Sequence, residues 1–350
     1  MTQVAAAPYR PLGAFRFGLA MLVVLQHFQH LLPQDERALF SHMGFGAIAV
    51  ACFFAVSGFV VAEAIANFYG GRPGAFLMNR AVRLVPPYLA ALALSIFVHA
   101  VLWYSGRLVL WDYTLTGSPL APARLLSGLC GLVPGFNPRL FGQDFEFIPF
   151  VWTLRLEVAF YLAVAAVVGA CVYLRAAWPI GAGMVAGIVA SAAFLVLARR
   201  PGILDTVPMF LVGGSLFLLE RRPGWCRAAM LLVSLIIAAA GFAAWRQHGE
   251  PVLAWQFPLL GVLIGLFTYL ATRRQGLLPR GVDGWLGELS YPLYLNHYVA
   301  GIVAGSLGAG LGFRLYVAAV AGAVVIAIGS SRVVDRRLRP LRDRIRKRTL

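Results

Sequence analysis

Arg16 and His27 stand in the apolar run 12–32, where an ionisable side chain is costly and is a functional candidate by default. On a helix, eleven steps of about 100° end about 20° past three turns, so the two side chains share a face about 16 Å apart. Histidine titrates near neutrality and is the ordinary base for removing a proton from a hydroxyl. The plainer alternative is a helix-end anchor for Arg16 and a packing role for His27. Glu157, in VWTLRLEVAFYL, lies about two turns into a second apolar run. Arg155 is two residues away and faces elsewhere, so the carboxylate needs a partner on another helix or a proton. A histidine is a natural partner, and a structural inter-helix pair is the alternative. In LGELSYPLYLNH, Ser290, Tyr294 and His297 fall at i, i+4 and i+7 and form a polar stripe. Such a stripe lines a wet cavity or joins helices by hydrogen bonds. Pro292 in the same run frees a carbonyl that Ser290 or a neighbouring helix must satisfy. Arg80 and Arg83 in GGRPGAFLMNRAVRLVPPYL share a face and offer planar donor forks suited to phosphate or pyrophosphate. Anionic lipid or simple charge bias at a membrane edge would use them equally. The chain has no GxGxxG, Walker loop, HExxH or CxxC, and no metal site is expected.

The elements that must hold these residues belong in a membrane. Hydrophobic residues make up 60% of the 350 and charged residues 13%, whereas a soluble domain has roughly 45–50% and about 25%. Apolar stretches near the ~20 residues a bilayer demands recur along the chain. They fall at about 12–32, 44–66, 84–105, 150–173, 178–198, 203–220, 228–245, 253–272, 285–308 and 312–332. The expectation is an all-α, polytopic integral membrane helical bundle of about ten transmembrane helices. Run 119–134 is short and proline-interrupted, and reads as a re-entrant or interfacial helix. The loop 106–149 and the tail 333–350 are the segments suited to water, and the Pro86–Pro87 pair opens the third span. The first run lacks a small-residue exit and reads as a retained helix. Residues 1–332 form the membrane domain and 333–350 a basic tail. With the N-terminus inside, the inner connections carry more than twice the Lys and Arg of the outer ones, placing both termini in the cytoplasm. The net charge of +16 is absorbed by that bias, so nucleic acid is not expected as a partner. Cys52, Cys130, Cys171 and Cys226 have no metal-ligand spacing, and structural disulfides are not expected. No internal repeat is visible, which weakens a transporter built from duplicated halves.

Taken in order, these segments resemble the acyltransferase-3 family of membrane O-acyltransferases. Arg16 and His27 match its first-helix Arg and His. FFAVSG, from Phe53 to Gly58, matches FFxxSG. Arg80, Arg83, Pro86 and Tyr88 match its RxxR with following Pro and Tyr. Trp152, Leu154, Glu157, Phe160 and Tyr161 match W-S-L-x-x-E-x-x-F-Y, and Ser290, Tyr294, Leu295 and His297 match S-x-x-x-Y-L-x-H. Each motif alone is weak, and five in order along 16–297 are specific. Two positions depart from the pattern. Thr153 stands where Ser is usual, and Val158 where a second acidic residue is common, which puts a paired-carboxylate role in doubt. The extra SGNH domain of some relatives is lacking, which implies that the membrane domain completes the transfer.

The resemblance implies transfer of an acyl group, most often acetyl from acetyl-CoA, to a hydroxyl of a cell-surface or lipid-linked glycan at a bacterial inner membrane. It implies His27 as the catalytic residue and an acyl-donor role for Arg80 and Arg83, with Arg16 helping to draw the donor in. Glu157 is the first expected orienting partner of His27, and His297 is the competing base. Ser57, Tyr161, Ser290, Tyr294 and His297 are expected to line the cavity or hold the acceptor. Ser57, Tyr294 or the Pro-freed backbone would supply oxyanion donors. Expected partners are membrane lipid, acyl-CoA and the glycan. Acylation of a glycosylated secondary metabolite is a variant, and a transporter or flippase of lipid-linked saccharide is the rival class.

Overall fold

The computed structural model describes residues 9–37, 44–110, 115, 117–141, 145–175, 179–197, 203–247, 256–308 and 312–347. Among these, helices dominate and no strand occurs. In chain order they are α1 (Gly13–His27), α2 (Phe45–Ala64), α3 (Pro73–Tyr104), α4 (Pro122–Leu129), α5 (Val151–Tyr173), α6 (Pro179–Leu197), α7 (Pro208–Arg221), α8 (Trp225–Gln247), α9 (Gln256–Thr272), α10 (Arg280–Leu307), α11 (Phe313–Ser330) and α12 (Arg336–Lys347). Five of them are long and apolar enough to cross a membrane: α2, α3, α5, α8 and α11 with their extensions. Each apolar stretch read from the sequence contains one helix, and α4, at 8 residues, is too short to span.

The helix pair that organises the bundle is α1 with α10. Asp283, at the start of α10, accepts the backbone N–H groups of Gly13 (3.1 Å) and Ala14 (2.8 Å) and the Tyr9 hydroxyl (2.9 Å). These N–H groups have no acceptor within their own helix, so a distant carboxylate caps α1 and also meets the positive end of its dipole. At the far end His27 meets His297. Asp283 to His297 and Gly13 to His27 are each fourteen residues, close to four turns and about 21 Å. The two helices therefore run parallel with matched contacts at both ends.

The second crossing, α2 on α7, depends on two glycines. A Cβ on Gly58 would lie 2.0 Å from the Phe210 carbonyl oxygen, and one on Gly213 would lie 1.8 Å from that of Ala55. Close backbone approach of this kind is how helices associate in lipid, where the hydrophobic drive is weak. Gly58 ends the FFAVSG motif, so α7 accounts for its glycine. At the α1 start, Arg10 pairs with Glu63 (3.1 Å) and Glu220 (3.1 Å), joining the N-terminal segment to α2 and α7.

Three expectations need correction. The third long helix begins at Pro73, well before residue 84, and Pro86 and Pro87 lie inside it. Arg80 and Arg83 are therefore helical, and close to the prolines Tyr291 on α10 donates to the Leu84 carbonyl at 3.1 Å. Second, the end of the loop 106–149 is not solvated. Phe145, Phe147 and Ile148 are buried, and Ser95 on α3 donates to the Phe147 carbonyl (2.7 Å). Third, the tail is folded. A π-helical turn, Ser331–Asp335, joins α11 to α12, and Asn79 on α3 donates to the Arg342 carbonyl at 3.0 Å.

Gly58→Val should destabilise the protein by about 1–3 kcal/mol or more, the ordinary cost of overpacking. The thermal midpoint in detergent should fall clearly below that of wild type, and an unchanged midpoint would contradict the close α2–α7 crossing.

Candidate active site

The sequence-derived residues converge on one buried axis. An inner cavity of about 90 Å³ is lined by Arg16, Arg80 and Arg83 at one side and by Ser57, Glu157, Tyr161, Ser290 and Tyr294 along it. Five helices, α1, α2, α3, α5 and α10, bring these together. Arg80 is 5% exposed, and its guanidinium lies against the rings of Phe76 (5.3 Å) and Tyr161 (5.2 Å). Arg16, Arg80 and Arg83 form no ion pair among the described residues, and the buried Arg80 Nε has no hydrogen-bond partner there. Three guanidinium groups that share this space with the single carboxylate of Glu157 leave an excess of positive charge suited to an anion.

Glu157 faces the same cavity. Its Oε1 accepts hydrogen bonds from Ser57 Oγ (3.1 Å) and from the Tyr161 hydroxyl. It is not bonded to His27, the pairing favoured from the sequence. Arg155, on the same helix, points away as expected, donating to the Gly131 carbonyl (2.8 Å) and pairing with Glu146. Ser290 donates to the Gly287 carbonyl at 2.8 Å, and not to that of Glu288, the one Pro292 frees.

Phe53, Thr153 and Tyr294 also line the cavity, and His27 and His297 do not. The Tyr294 hydroxyl donates to the Phe150 carbonyl (3.0 Å) and lies 2.6 Å from Thr153 Oγ1, which also donates to Phe150 O (3.0 Å). The hydroxyl kept at Thr153 thus ties α5 to α10. About one turn further along α10 lies the histidine pair, with His27 Nδ1 2.9 Å from His297 Nε2. His297 is fully buried, and its Nδ1 lies 2.7 Å from the Tyr294 carbonyl and 3.3 Å from that of Leu293. Carbonyls only accept, so Nδ1 carries the His297 proton. For neutral rings Nε2 of His297 is then bare and accepts from His27 Nδ1–H, leaving His27 Nε2 as the open lone pair. The Phe150 ring stacks on both imidazoles, with centroids 3.9 Å from His27 and 4.7 Å from His297.

His297 therefore sits beside His27, outside the inner cavity in which it was expected. The pairing joins residues 270 positions apart, and no local spacing signals it. Phe150 was also missed, because an aromatic at the edge of a loop reads as ordinary packing.

A family model described as an acyltransferase domain matches residues 12–332. The chain belongs to the acyltransferase-3 family. It is a multi-pass membrane acyltransferase. The exopolysaccharide production protein ExoZ of Rhizobium meliloti (strain 1021) is 25% identical over 309 residues, covering 85% of this chain and 90% of that protein. Protein 2 in the picA locus of Rhizobium radiobacter is 31% identical over 163 residues, covering 45% of this chain and 81% of that protein. No solved structure matches the chain at a comparable significance.

The tautomer chain gives an expected outcome for acyl transfer by this family member. His297→Phe removes the acceptor that fixes the His27 ring and should lower kcat by tenfold or more, on the order seen when an orienting partner is removed. The KM for the donor should hardly move. His297→Gln, whose side-chain oxygen can accept from Nδ1–H, should recover part of the loss. Equal activity of the Phe variant and wild type would contradict the orienting role.

Proposed function

We propose that the protein is an inner-membrane O-acyltransferase that moves an acyl group, most simply acetyl, from cytoplasmic acyl-CoA to a hydroxyl of a cell-surface or lipid-linked glycan. The observation that carries this reading is the axis itself. Arginines with no ion pair among the described residues stand at one end, and a histidine with an open nitrogen stands about 16 Å further along α1. That spacing is comparable to an extended pantetheine arm. The relative named for exopolysaccharide production supports a glycan acceptor.

In this reading the donor phosphates lie on Arg16, Arg80 and Arg83, and the thioester reaches the Tyr294 end of the cavity. His27 Nε2 takes the proton of the acceptor hydroxyl as its oxygen attacks the thioester carbonyl carbon. The C–S bond then breaks, and the same proton passes to the departing thiolate. His297 is a positioning residue in this scheme, which replaces Glu157 in that task. Glu157, held by Ser57 and Tyr161, balances part of the arginine charge across the cavity. Tyr294 and Ser57 remain candidate oxyanion donors, and each must exchange its present acceptor to serve.

The same geometry bears on topology. Two parallel spans must be separated by an odd number of crossings. Among the described residues, seven helices of 14–32 residues, α2, α3 and α5 to α9, lie between α1 and α10 once the 8-residue α4 is set aside. This supports ten spans with both termini on the cytoplasmic side, as the charge distribution also implies.

Two outcomes test the assignment. His27→Ala should lower transfer by about 10²–10⁴-fold while saturable acetyl-CoA binding persists. Arg80→Ala with Arg83→Ala should raise the donor Kd by about tenfold or more per residue, since charged hydrogen bonds are worth about 1.5–3 kcal/mol each. Mass spectrometry of surface glycans with and without the gene checks the product. Near-normal turnover by His27→Ala, or unchanged acetyl-CoA affinity in a folded double variant, would sink the respective role.

A further inference from the structure

A second chamber of about 320 Å³ opens beside the inner cavity at the Asp283 end, and Arg16, Val60, Arg83 and Tyr291 line both. Its outer wall is the C-terminal segment, which contributes Asp335, Arg336, Arg339 and Arg342. Several charges lining this chamber are already matched. Glu63 is held by Arg10 and Asp283 by the α1 N–H groups, while Glu288 pairs with Arg339 at 3.0 Å. That leaves Arg16, Arg83, Arg336 and Arg342 with the single carboxylate of Asp335. The Arg342 Nε is buried and has no hydrogen-bond partner among the described residues. The segment is also held in place. The Arg342 carbonyl is bonded to Asn79, and the Arg346 guanidinium lies 4.2 Å from the Phe68 ring centroid. The π-helical turn Ser331–Asp335, a local irregularity common at functional sites, joins α11 to α12 and carries Asp335.

We infer that α12 is a wall of the acyl-donor site and that Arg342, with Arg336 at the rim, holds the ribose 3′-phosphate of acyl-CoA. The inference rests on the acyl-CoA reading proposed above. Arg16 and Arg83, shared by the two chambers, are placed for the diphosphate, so the pantetheine arm enters the inner cavity while the nucleotide end stays in the outer one. A phosphate at Arg342 would complete the fork that the protein itself leaves open. A lipid phosphate offers the same group, and the test separates the two sources.

Full-length protein in nanodiscs of neutral lipid is titrated with CoA and with 3′-dephospho-CoA. Wild type should bind CoA about tenfold more tightly than the dephospho form, the effect of one charged hydrogen-bonding group. Arg342→Gln, which keeps the backbone bond to Asn79, should weaken CoA by a similar factor and bind both ligands alike. Arg342→Lys should fall between. A thermal midpoint equal to that of wild type identifies a folded variant, and Arg336→Gln at the exposed rim provides a second test if Arg342 variants fail to fold. Failure of wild type to bind either ligand would overturn the acyl-CoA reading itself. Wild-type discrimination that persists in folded Arg342→Gln and Arg336→Gln would overturn the α12 role alone. So would a loss of affinity that occurs only in anionic lipid, which would assign the arginines to headgroups.

Discussion

The parallel pairing of α1 with α10 is the constraint on which the site depends. It is fixed at one end by a carboxylate that caps a helix 270 residues away, and at the other by one imidazole bonded to another. Between those points both helices advance by the same number of turns, so the caps and the histidines are in register together. A shift of one residue on either helix would turn a contact by about 100° and separate His27 from His297. The cap thus has a consequence at a nitrogen about 21 Å away, carried by two stiff helices.

The charges sort along this pair. At the capped end, arginines from α1, α3 and the tail gather with too few acids to neutralise them. Inside the membrane domain an uncompensated cation is costly, and the cost is tolerated where an anion is to be bound. At the other end the polar groups are neutral rings and hydroxyls, closed into short hydrogen-bonded chains that terminate on carbonyls. Thr153, Tyr294 and the Phe150 carbonyl separate the two regions, and the Phe150 ring lies over both histidines. An anionic donor and a neutral hydroxyl acceptor would therefore meet complementary surroundings from opposite sides of one wall.

Much of this was legible in the sequence. The helices are readable because membrane helices need long apolar runs; Arg16 and Glu157 stand out because such runs rarely contain charge, Ser290 and Tyr294 as a polar stripe, Arg80 and Arg83 as a two-arginine face, and Ser57 and Tyr161 only through the family motifs. Their meeting in one cavity is shown by the fold. The partners were harder to read. Glu157 seemed a match for His27 because charge complementarity is a pairwise rule, whereas the fold gives Glu157 two hydroxyls and gives His27 a neutral imidazole. Pro86 and Pro87 suggested a helix start, since proline is favoured there, but surrounding helices carry them inside α3. The tail reads as a basic segment suited to water because its charges say nothing of Asn79 or Phe68, which it contacts as a helix.

The most direct test of the account is a cryo-EM structure of the protein with a non-hydrolysable acetyl-CoA analogue. The account predicts the diphosphate against Arg16 and Arg83, the acyl carbonyl at the Tyr294 end of the inner cavity, and His27 Nε2 facing that carbon across the space for a hydroxyl. A diphosphate bound elsewhere, or an acyl group directed toward Glu157 with the histidines remote from it, would contradict it.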